Sequence, residues 1–139
     1  MSPVETLVDA SVDAAEVAWL VHKRAAAIRS RDAEYLASRY ASTALTLGVA
    51  PPLAVLHGEA RRVDWLRRWL WAFDGRIRYQ VRELTVSVGG DLAFCHSNDV
   101  FSARRGASRR RDVHLATTLC FERIGGVWLV TAERVQVVE

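Results

Sequence analysis

The chain has 139 residues, of which 50% are hydrophobic and 25% are charged. A chain of this length forms one domain, and this balanced composition excludes an intrinsically disordered protein. No apolar run reaches the roughly 18 residues that a transmembrane helix needs. The acidic first residues also lack the charged-then-apolar order of a secretion signal. We therefore predict one domain over residues 1–139, located in the cytoplasm, with no membrane partner.

The net charge of +3 comes from one arginine-rich stretch rather than from the whole chain. Residues 103–111 contain five arginines, and without them the net charge would be −2. No aromatic residue lies within the stretch to stack on nucleic-acid bases. We therefore interpret it as a solvated hairpin loop and expect no nucleic-acid partner; the alternative is contact with a phosphate group or a nucleic acid.

The first half of the chain has helical periodicity. Its apolar residues recur at spacings of three and four, with Arg24 on the same stripe. The predicted helices cover Asp13–Arg29, a short segment from Asp32 to Tyr40 with Asp32 as its cap, and a segment from Gly58 to Phe73. Between the last two, a Pro51-Pro52 pair makes residues 44–56 extended or loop-like.

The second half alternates in the manner of β-strands. The predicted strands are Ile77–Val88, Leu92–Phe101, Arg111–Phe121 and Val127–Val138. Gly89-Gly90 and Gly125-Gly126 are the expected two-residue turns, and the arginine-rich stretch is the longer middle loop. Helices followed by an antiparallel meander predict an α+β fold, in which three helices cover one face of a curved sheet and enclose a cone.

Four segments resemble a known protein family. They are residues 25–36 (AAAIRSRDAEYL), 56–60 (LHGEA), 89–96 (GGDLAFCH) and 123–130 (RIGGVWLV). Together they resemble the SnoaL-like, ketosteroid-isomerase-like group of the nuclear transport factor 2 superfamily, over about residues 13–137. The resemblance implies a cone-shaped, cystatin-like roll and usually a homodimer. The family includes isomerases, cyclases, dehydratases, epoxide hydrolases and non-catalytic binders, so the fold alone does not assign a function.

Several positions depart from the patterns of this family. Gly48 stands where ketosteroid isomerases have their general base, while Arg24 and Thr118 stand where they have their two oxyanion-binding groups. Steroid isomerisation is therefore not expected. Asp99 and Glu133 match the two catalytic carboxylates of the limonene epoxide hydrolase branch, but the residues that hold its water are missing. The resemblance thus implies acid–base chemistry by carboxylates.

Strand pairing across the predicted turns tests whether these side chains can meet. The predicted pairs are Glu133 with Thr118, Asp99 with His114, and Asp99 with Gln80, with Arg82 on the diagonal. All six side chains would then share one concave face, unless a strand slips by one residue. The alternate residues Val113, Leu115, Leu119 and Phe121 would face the opposite side, where we expect a second subunit.

The predicted catalytic residues are Asp99, Glu133 and His114. Two carboxylates close together in an apolar cone do not both ionise easily, so one would keep its proton as an acid while the other acts as a base. The imidazole of His114 would carry the proton or orient the substrate. The predicted substrate-binding residues are Arg24 as an anion clamp, Gln80, Arg82, Thr118, and Trp69 at the cavity mouth.

Structural explanations of the same residues remain open. Asp99 could form an ion pair with Arg82 or Arg134, Arg24 could neutralise a buried carboxylate, and His114 could belong to the core. The cysteines Cys95 and Cys120 lack the spacing of a metal or redox pair and predict buried free thiols. No metal-ligand or phosphate-loop motif is present.

Two functions fit this sequence. The first is a small enzyme without cofactor or metal that isomerises, cyclises or opens the epoxide of a hydrophobic metabolite, for example in polyketide-type metabolism. The second is a non-catalytic module that binds a hydrophobic small molecule or forms a dimer. An open cone with carboxylates unpaired by arginine would favour the enzyme, whereas a filled or neutralised cone would favour the module.

Overall fold

The computed structural model describes residues 3–47 and 59–138, with side chains for residues 11–46 and 62–138. The elements in chain order are α1 (Pro3–Arg29), α2 (Ala33–Ser38), β1 (Tyr40–Leu47), α3 (Glu59–Leu70), β2 (Asp74–Gly89), β3 (Leu92–Arg104), β4 (Arg111–Ile124) and β5 (Val127–Val138). The α+β class, the three helices and their position on a curved sheet are confirmed. Two predictions lie outside the described residues: the position of Gly48, where related isomerases have their general base, and the extended or loop-like segment around Pro51-Pro52.

The sheet has five strands in the order β1-β5-β4-β3-β2. The four predicted strands form the antiparallel meander, whereas β1 pairs in parallel with β5 and makes the sheet mixed. The prediction of a purely antiparallel sheet is therefore wrong at this edge. The sequence analysis assigned Tyr40 to the second helix, but that helix ends at Ser38 and the chain continues directly into a strand.

Helices α1 and α2 follow from local sequence signals. The buried face of α1 contains Val17, Val21, Ala25 and Ile28, which matches the predicted apolar stripe. Helix α1 begins ten residues before the predicted start at Asp13. At the start of α2, the Asp32 carboxylate accepts a hydrogen bond from the Tyr35 amide at 3.1 Å, so the predicted cap is confirmed.

The hydrophobic core lies between the helices and the concave face of the sheet. Its sheet side includes Leu115, Leu119 and Phe121, all of which are buried against the helices. The prediction that these residues face away toward a second subunit is therefore wrong. Cys95 is buried, Cys120 is partly buried, and both are free thiols, as predicted. Among the helices in the described part of the chain, none is long and apolar enough to cross a membrane.

Replacing Leu119 by alanine should lower the free energy of unfolding by about 2–5 kcal/mol, because it leaves a cavity in a well-packed core. Its side chain is 1% exposed, whereas that of Leu92 is 61% exposed. The matched control Leu92→Ala should change stability by less than about 0.5 kcal/mol. Urea denaturation of both variants measures the difference. Equal losses would contradict the assignment of Leu119 to the core.

Two irregularities change the strand register that the turns alone would give. In β5, Thr131 is an extra residue, because Phe121 pairs with Val130 while the preceding Cys120 pairs with Ala132. In β2, the register with β3 shifts between Arg82 and Thr85, where Glu83 has a positive φ of 53°. Such bulges change which residues lie opposite one another.

The first hairpin turn is also one residue later than predicted. Gly89 pairs with Leu92, which leaves Gly90 and Asp91 as the turn. Gly90 has a φ of +61°, a conformation that glycine adopts without steric cost. The turn at Gly125-Gly126 is confirmed, since Ile124 pairs with Val127.

Candidate functional site

Two carboxylates lie on the helix-covered face of the sheet. Asp99 of β3 is 2% exposed and Glu133 of β5 is 6% exposed. Their strands are neighbours of β4 on its two sides, and both side chains face the helices. Because a buried carboxylate is costly without hydrogen-bond donors, the partners of each oxygen define what the group can do.

Asp99 has one satisfied oxygen and one free oxygen. The Tyr79 hydroxyl on β2 donates a hydrogen bond to Oδ2 of Asp99. The Oδ1 atom has no hydrogen-bond partner among the described residues. Burial raises the pKa of the Tyr79 phenol to about 12, opposed by the charge of Arg24 and reinforced by that of Asp99. Tyr79 therefore remains a donor at neutral pH and fixes one side of the carboxylate.

Glu133 is held by two donors that converge on the same oxygen. Arg24 Nη2 from α1 lies 2.7 Å from Oε2 of Glu133, and the Tyr40 hydroxyl from β1 donates to that oxygen at 2.6 Å. Burial, together with the charge of Glu133, raises the pKa of Tyr40 above its usual range. Burial, the largest single effect, would lower the pKa of Arg24, but the Glu133 carboxylate together with Tyr79 and Tyr40 outweighs it, and that pKa lies well above its usual value.

Arg24 connects the two carboxylates into one network. Its Nη1 atom donates to the Tyr79 hydroxyl at 3.5 Å, and Tyr79 in turn donates to Asp99. The Nε atom of Arg24 has no partner among the described residues. The network thus runs from Glu133 through Arg24 and Tyr79 to Oδ2 of Asp99, and leaves Oδ1 as the unpaired oxygen. We call these four residues, with Tyr40, the polar cluster.

The charges of the polar cluster do not balance. With both carboxylates ionised, it has one more negative than positive charge, and the guanidinium contacts Glu133 directly. Asp99 is therefore the carboxylate with an oxygen available for a proton, while Arg24 can stabilise an anion that forms nearby. Within the described ranges, no three His, Cys, Asp or Glu side chains come together to hold a metal ion.

Because the pKa of Tyr79 is raised in the folded chain, the free energy of unfolding depends on pH in the alkaline range. The folded chain holds this proton up to a pKa of about 12, compared with 10.0 for an unperturbed tyrosine. The stabilising contribution is therefore complete below pH 10 and is lost as pH rises toward 12. Denaturation at stepped pH should show unfolding free energy falling across this window, with a smaller slope in Tyr79→Phe. Identical slopes would contradict the burial of the phenol.

The Tyr40 ring is positioned by helix α3. The Arg62 guanidinium lies 4.3 Å from the centre of the Tyr40 ring, and its Nη2 atom donates to the Ala44 carbonyl at 3.2 Å. Stacking of a buried guanidinium on an aromatic face stabilises both groups. Helix α3 therefore fixes the tyrosine that binds Glu133.

A small pocket opens between α1, α2 and the end of β1. Its lining residues are Leu20, Arg24, Leu36, Arg39, Tyr40, Phe121 and Val130. The space that a water-sized molecule can occupy there is about 20 Å³, which is enough for one water. Arg24 and Tyr40 bring the polar cluster to the wall of this pocket. This space is smaller than a metabolite, so side chains at the pocket would have to move before one could enter.

Two of the predicted site residues on β4 lie on the other face. Asp99 pairs with Leu115, so the prediction that it pairs with His114 is wrong by one residue. His114 is exposed on the outer face. The bulge at Thr131 likewise pairs Glu133 with Leu119 rather than with Thr118. Thr118 contacts His96 Nδ1 at 3.3 Å, on the face opposite Asp99.

The predicted residues on β2 also lie on the other face, because the register of β2 with β3 shifts between Arg82 and Thr85. Asp99 pairs with Val81 rather than with Gln80, so Gln80 and Arg82 are exposed on the outer face and hydrogen-bond to each other at 2.8 Å. The predicted placement of both residues in the cone is therefore wrong. Trp69 does not lie among the pocket residues. It packs on Phe101, with ring centres 5.6 Å apart, within the aromatic core.

The sequence analysis missed Tyr79 and Tyr40. Tyr79 alternates with the buried Ile77 and the partly buried Val81, which is the signal that would have placed it on the inner face. The register shift between Arg82 and Thr85, which the sequence analysis did not predict, reversed that assignment. Tyr40 was assigned to a helix, so its position beside the last strand was not considered.

Comparison with known proteins supports the fold. A family model described as the SnoaL-like domain matches residues 12–132. The search of curated proteins finds no match. A solved NTF2-like protein of unknown function from Pseudomonas putida KT2440 is 21% identical, with a TM-score of 0.78, over 91% of this chain and 87% of the other.

Two further solved structures are named for enzymes. A hexachlorocyclohexane dehydrochlorinase, LinA type 2, is 16% identical, with a TM-score of 0.80, over 99% of this chain and 90% of the other. A candidate scytalone dehydratase from Novosphingobium aromaticivorans DSM 12444 is 13% identical, with a TM-score of 0.78, over 96% and 87%. At these identities the similarity shows a shared fold.

Proposed function

The chain belongs to the SnoaL-like domain family of NTF2-like proteins, and we propose that it is a small, cofactor-independent enzyme that performs acid–base chemistry on a hydrophobic metabolite. The observation that carries this proposal is the free Oδ1 atom of Asp99, a buried carboxylate oxygen without a partner among the described residues. A carboxylate held on one side by Tyr79, with its other oxygen buried and unpaired, is arranged to accept a proton.

The proposed first step is removal of a proton from a carbon next to an electron-withdrawing group. Asp99 Oδ1 takes the proton, and the electron pair of the broken C–H bond moves into the substrate, which becomes an anion. Arg24 stabilises this anion through its positive charge, with Glu133 and Tyr40 holding the guanidinium in place. Return of the proton to another carbon completes an isomerisation. In a cyclisation, the carbanion instead forms a bond to a carbonyl carbon of the same molecule, and Asp99 gives the proton to the resulting alkoxide oxygen.

The same step also begins an elimination, in which a leaving group departs with the electron pair. The names of two structural neighbours denote such reactions, the loss of hydrogen chloride and the loss of water. Epoxide opening by a pair of free carboxylates has less support, because Glu133 is engaged by Arg24 and Tyr40. Glu133 is therefore assigned as a positioning residue, and His114 has no part in the reaction.

A second candidate function is the non-catalytic module. The ion pair between Arg24 and Glu133 and the water-sized pocket favour it, because they describe an interior that is neutralised and nearly filled. In that case Asp99 and Tyr79 would be structural, and the chain would bind a hydrophobic ligand or a second copy without chemistry.

Solvent exchange distinguishes the two functions. The chain is incubated in deuterated water with scytalone, hexachlorocyclohexane and a series of cyclic ketones and phenols, and deuterium incorporation and products are measured by mass spectrometry. An enzyme should exchange or convert at least one compound, and Asp99→Asn should not. Compounds that raise the melting temperature without exchange or product would establish the binding module instead.

A further inference from the structure

One end of the sheet carries a dense group of arginines. We define the arginine surface as Arg76 and Arg78 of β2 together with Arg104, Arg105, Arg109, Arg110 and Arg111 of the β3–β4 connection. All seven side chains are exposed. Within residues 74–78 and 103–112 the acidic residues are Asp74 and Asp112, and the remainder of the chain has twelve basic residues against fourteen acidic ones. The positive potential is therefore concentrated at this end.

The connection that carries these arginines is held in a defined conformation. Arg110 donates to the carbonyls of Ser102 and Arg76, at 2.9 Å and 2.6 Å, and so ties the loop to two strands. The Gly106 amide donates to the Asp74 carboxylate at 2.7 Å. The arginines are therefore displayed on a fixed support, which reduces the entropy lost when a ligand binds.

Most of the charges on this surface are not neutralised. None of its seven arginines forms a salt bridge with an acidic residue in the described part of the chain. Arg76 and Arg78 alternate on one face of an edge strand, about 7 Å apart. Exposed like charges at this spacing repel one another, and a bound polyanion relieves that repulsion.

The fold brings an exposed aromatic ring to the same end. Trp71 follows α3 and is 68% exposed, with the Arg31 guanidinium 4.9 Å from its ring centre. Arg31 also donates to the carbonyls of Phe73 and Gly75, at the start of β2. The arginine stretch has no aromatic residue of its own, but the tertiary structure supplies one at the same end of the sheet.

We propose that the arginine surface and Trp71 bind single-stranded nucleic acid. The guanidinium groups would contact successive phosphates, and a base would stack on the exposed indole. Arginines alone would suit any polyanion, and the indole is the feature that favours a ligand with flat aromatic bases. This site lies outside the polar cluster and does not depend on the proposed enzyme activity.

Fluorescence anisotropy with a labelled single-stranded oligonucleotide of twelve thymidine nucleotides tests the proposal. The unmodified chain should bind it saturably at low salt, with the logarithm of the affinity falling linearly with the logarithm of the salt concentration. The double variant Arg76→Ala/Arg78→Ala should make this slope shallower by about 1.4, or about 0.7 for each phosphate that is no longer neutralised. Trp71→Ala should weaken binding by about 5-fold or more.

The matched control has the same change in charge elsewhere. Lys23→Ala/Arg134→Ala removes two exposed positive charges outside the arginine surface and should leave the salt slope almost unchanged. Circular dichroism confirms that all variants are folded. Absence of binding, equal effects of the two double variants, or no effect of Trp71→Ala would overturn the proposal. Equally tight binding of polyglutamate or of phosphatidylserine vesicles would also overturn it, in favour of an acidic protein or a membrane surface.

Discussion

Asp99→Asn should lower the rate of proton abstraction by about 10²- to 10⁴-fold, the usual contribution of a positioned general base. The substitution keeps the shape of the side chain, and the Tyr79 hydroxyl can still donate to the amide oxygen. The amide nitrogen then occupies the place of the free Oδ1 atom and cannot accept a proton. We expect the melting temperature to change little, because no donor loses its partner.

Asp112→Asn is the matched control for this experiment. Asp112 lies on β4 and is exposed, so its amide should leave both the rate and the stability unchanged. Rates are compared by deuterium exchange on a compound that the unmodified chain converts. A large loss of stability in Asp99→Asn without any loss of rate would show that Asp99 is structural and would contradict its role as the base.

Arg24→Met should destabilise the fold by about 3–5 kcal/mol, because it leaves the buried Glu133 carboxylate without its charge partner. The double variant Arg24→Met/Glu133→Gln removes the stranded charge and retains an acceptor for the Tyr40 hydroxyl. It should therefore recover most of the stability that the single variant loses. Chemical denaturation of the unmodified chain, the two single variants Arg24→Met and Glu133→Gln, and the double variant completes a double-mutant cycle for the ion pair.

An exposed ion pair in the same chain provides the comparison. Arg67 forms a salt bridge with Glu34 in which both side chains are more than half exposed, and Arg67→Met should cost less than about 1 kcal/mol. A cost for Arg24→Met no larger than this would show that water reaches Glu133 and that the polar cluster is not a low-dielectric environment. Arg24 would then be a poor stabiliser of a substrate anion.

The sequence predicted the architecture well because it is encoded in local patterns. The apolar stripe of α1, the Asp32 cap and the Gly125-Gly126 turn each act over a few residues, and each appears in the structure. Strand β1 was not predicted as part of the sheet because its partner, β5, lies about ninety residues later. Parallel pairing over that distance leaves no local signal.

The face of the sheet on which each side chain lies could not be predicted as reliably. A shift of the strand register by one residue exchanges the two faces. A one-residue error in the middle loop moved His114 to the opposite face, and the register shift between Arg82 and Thr85 in β2 did the same to Gln80 and Arg82. The extra residue at Thr131 then offset the error in the middle loop, so Asp99 and Glu133 still share one face. Their partners were missed, since hydrogen bonds from Tyr79 and Tyr40 depend on this register and on β1.

The ion pair between Arg24 and Glu133 also has a consequence for how the protein is made. It joins the first helix to the last strand, across 109 positions of sequence. Closing so long a loop is slow, and contacts of this kind form late in folding. During synthesis on the ribosome, the arginine emerges long before its carboxylate partner. The interior therefore stays accessible to water until the final strand docks.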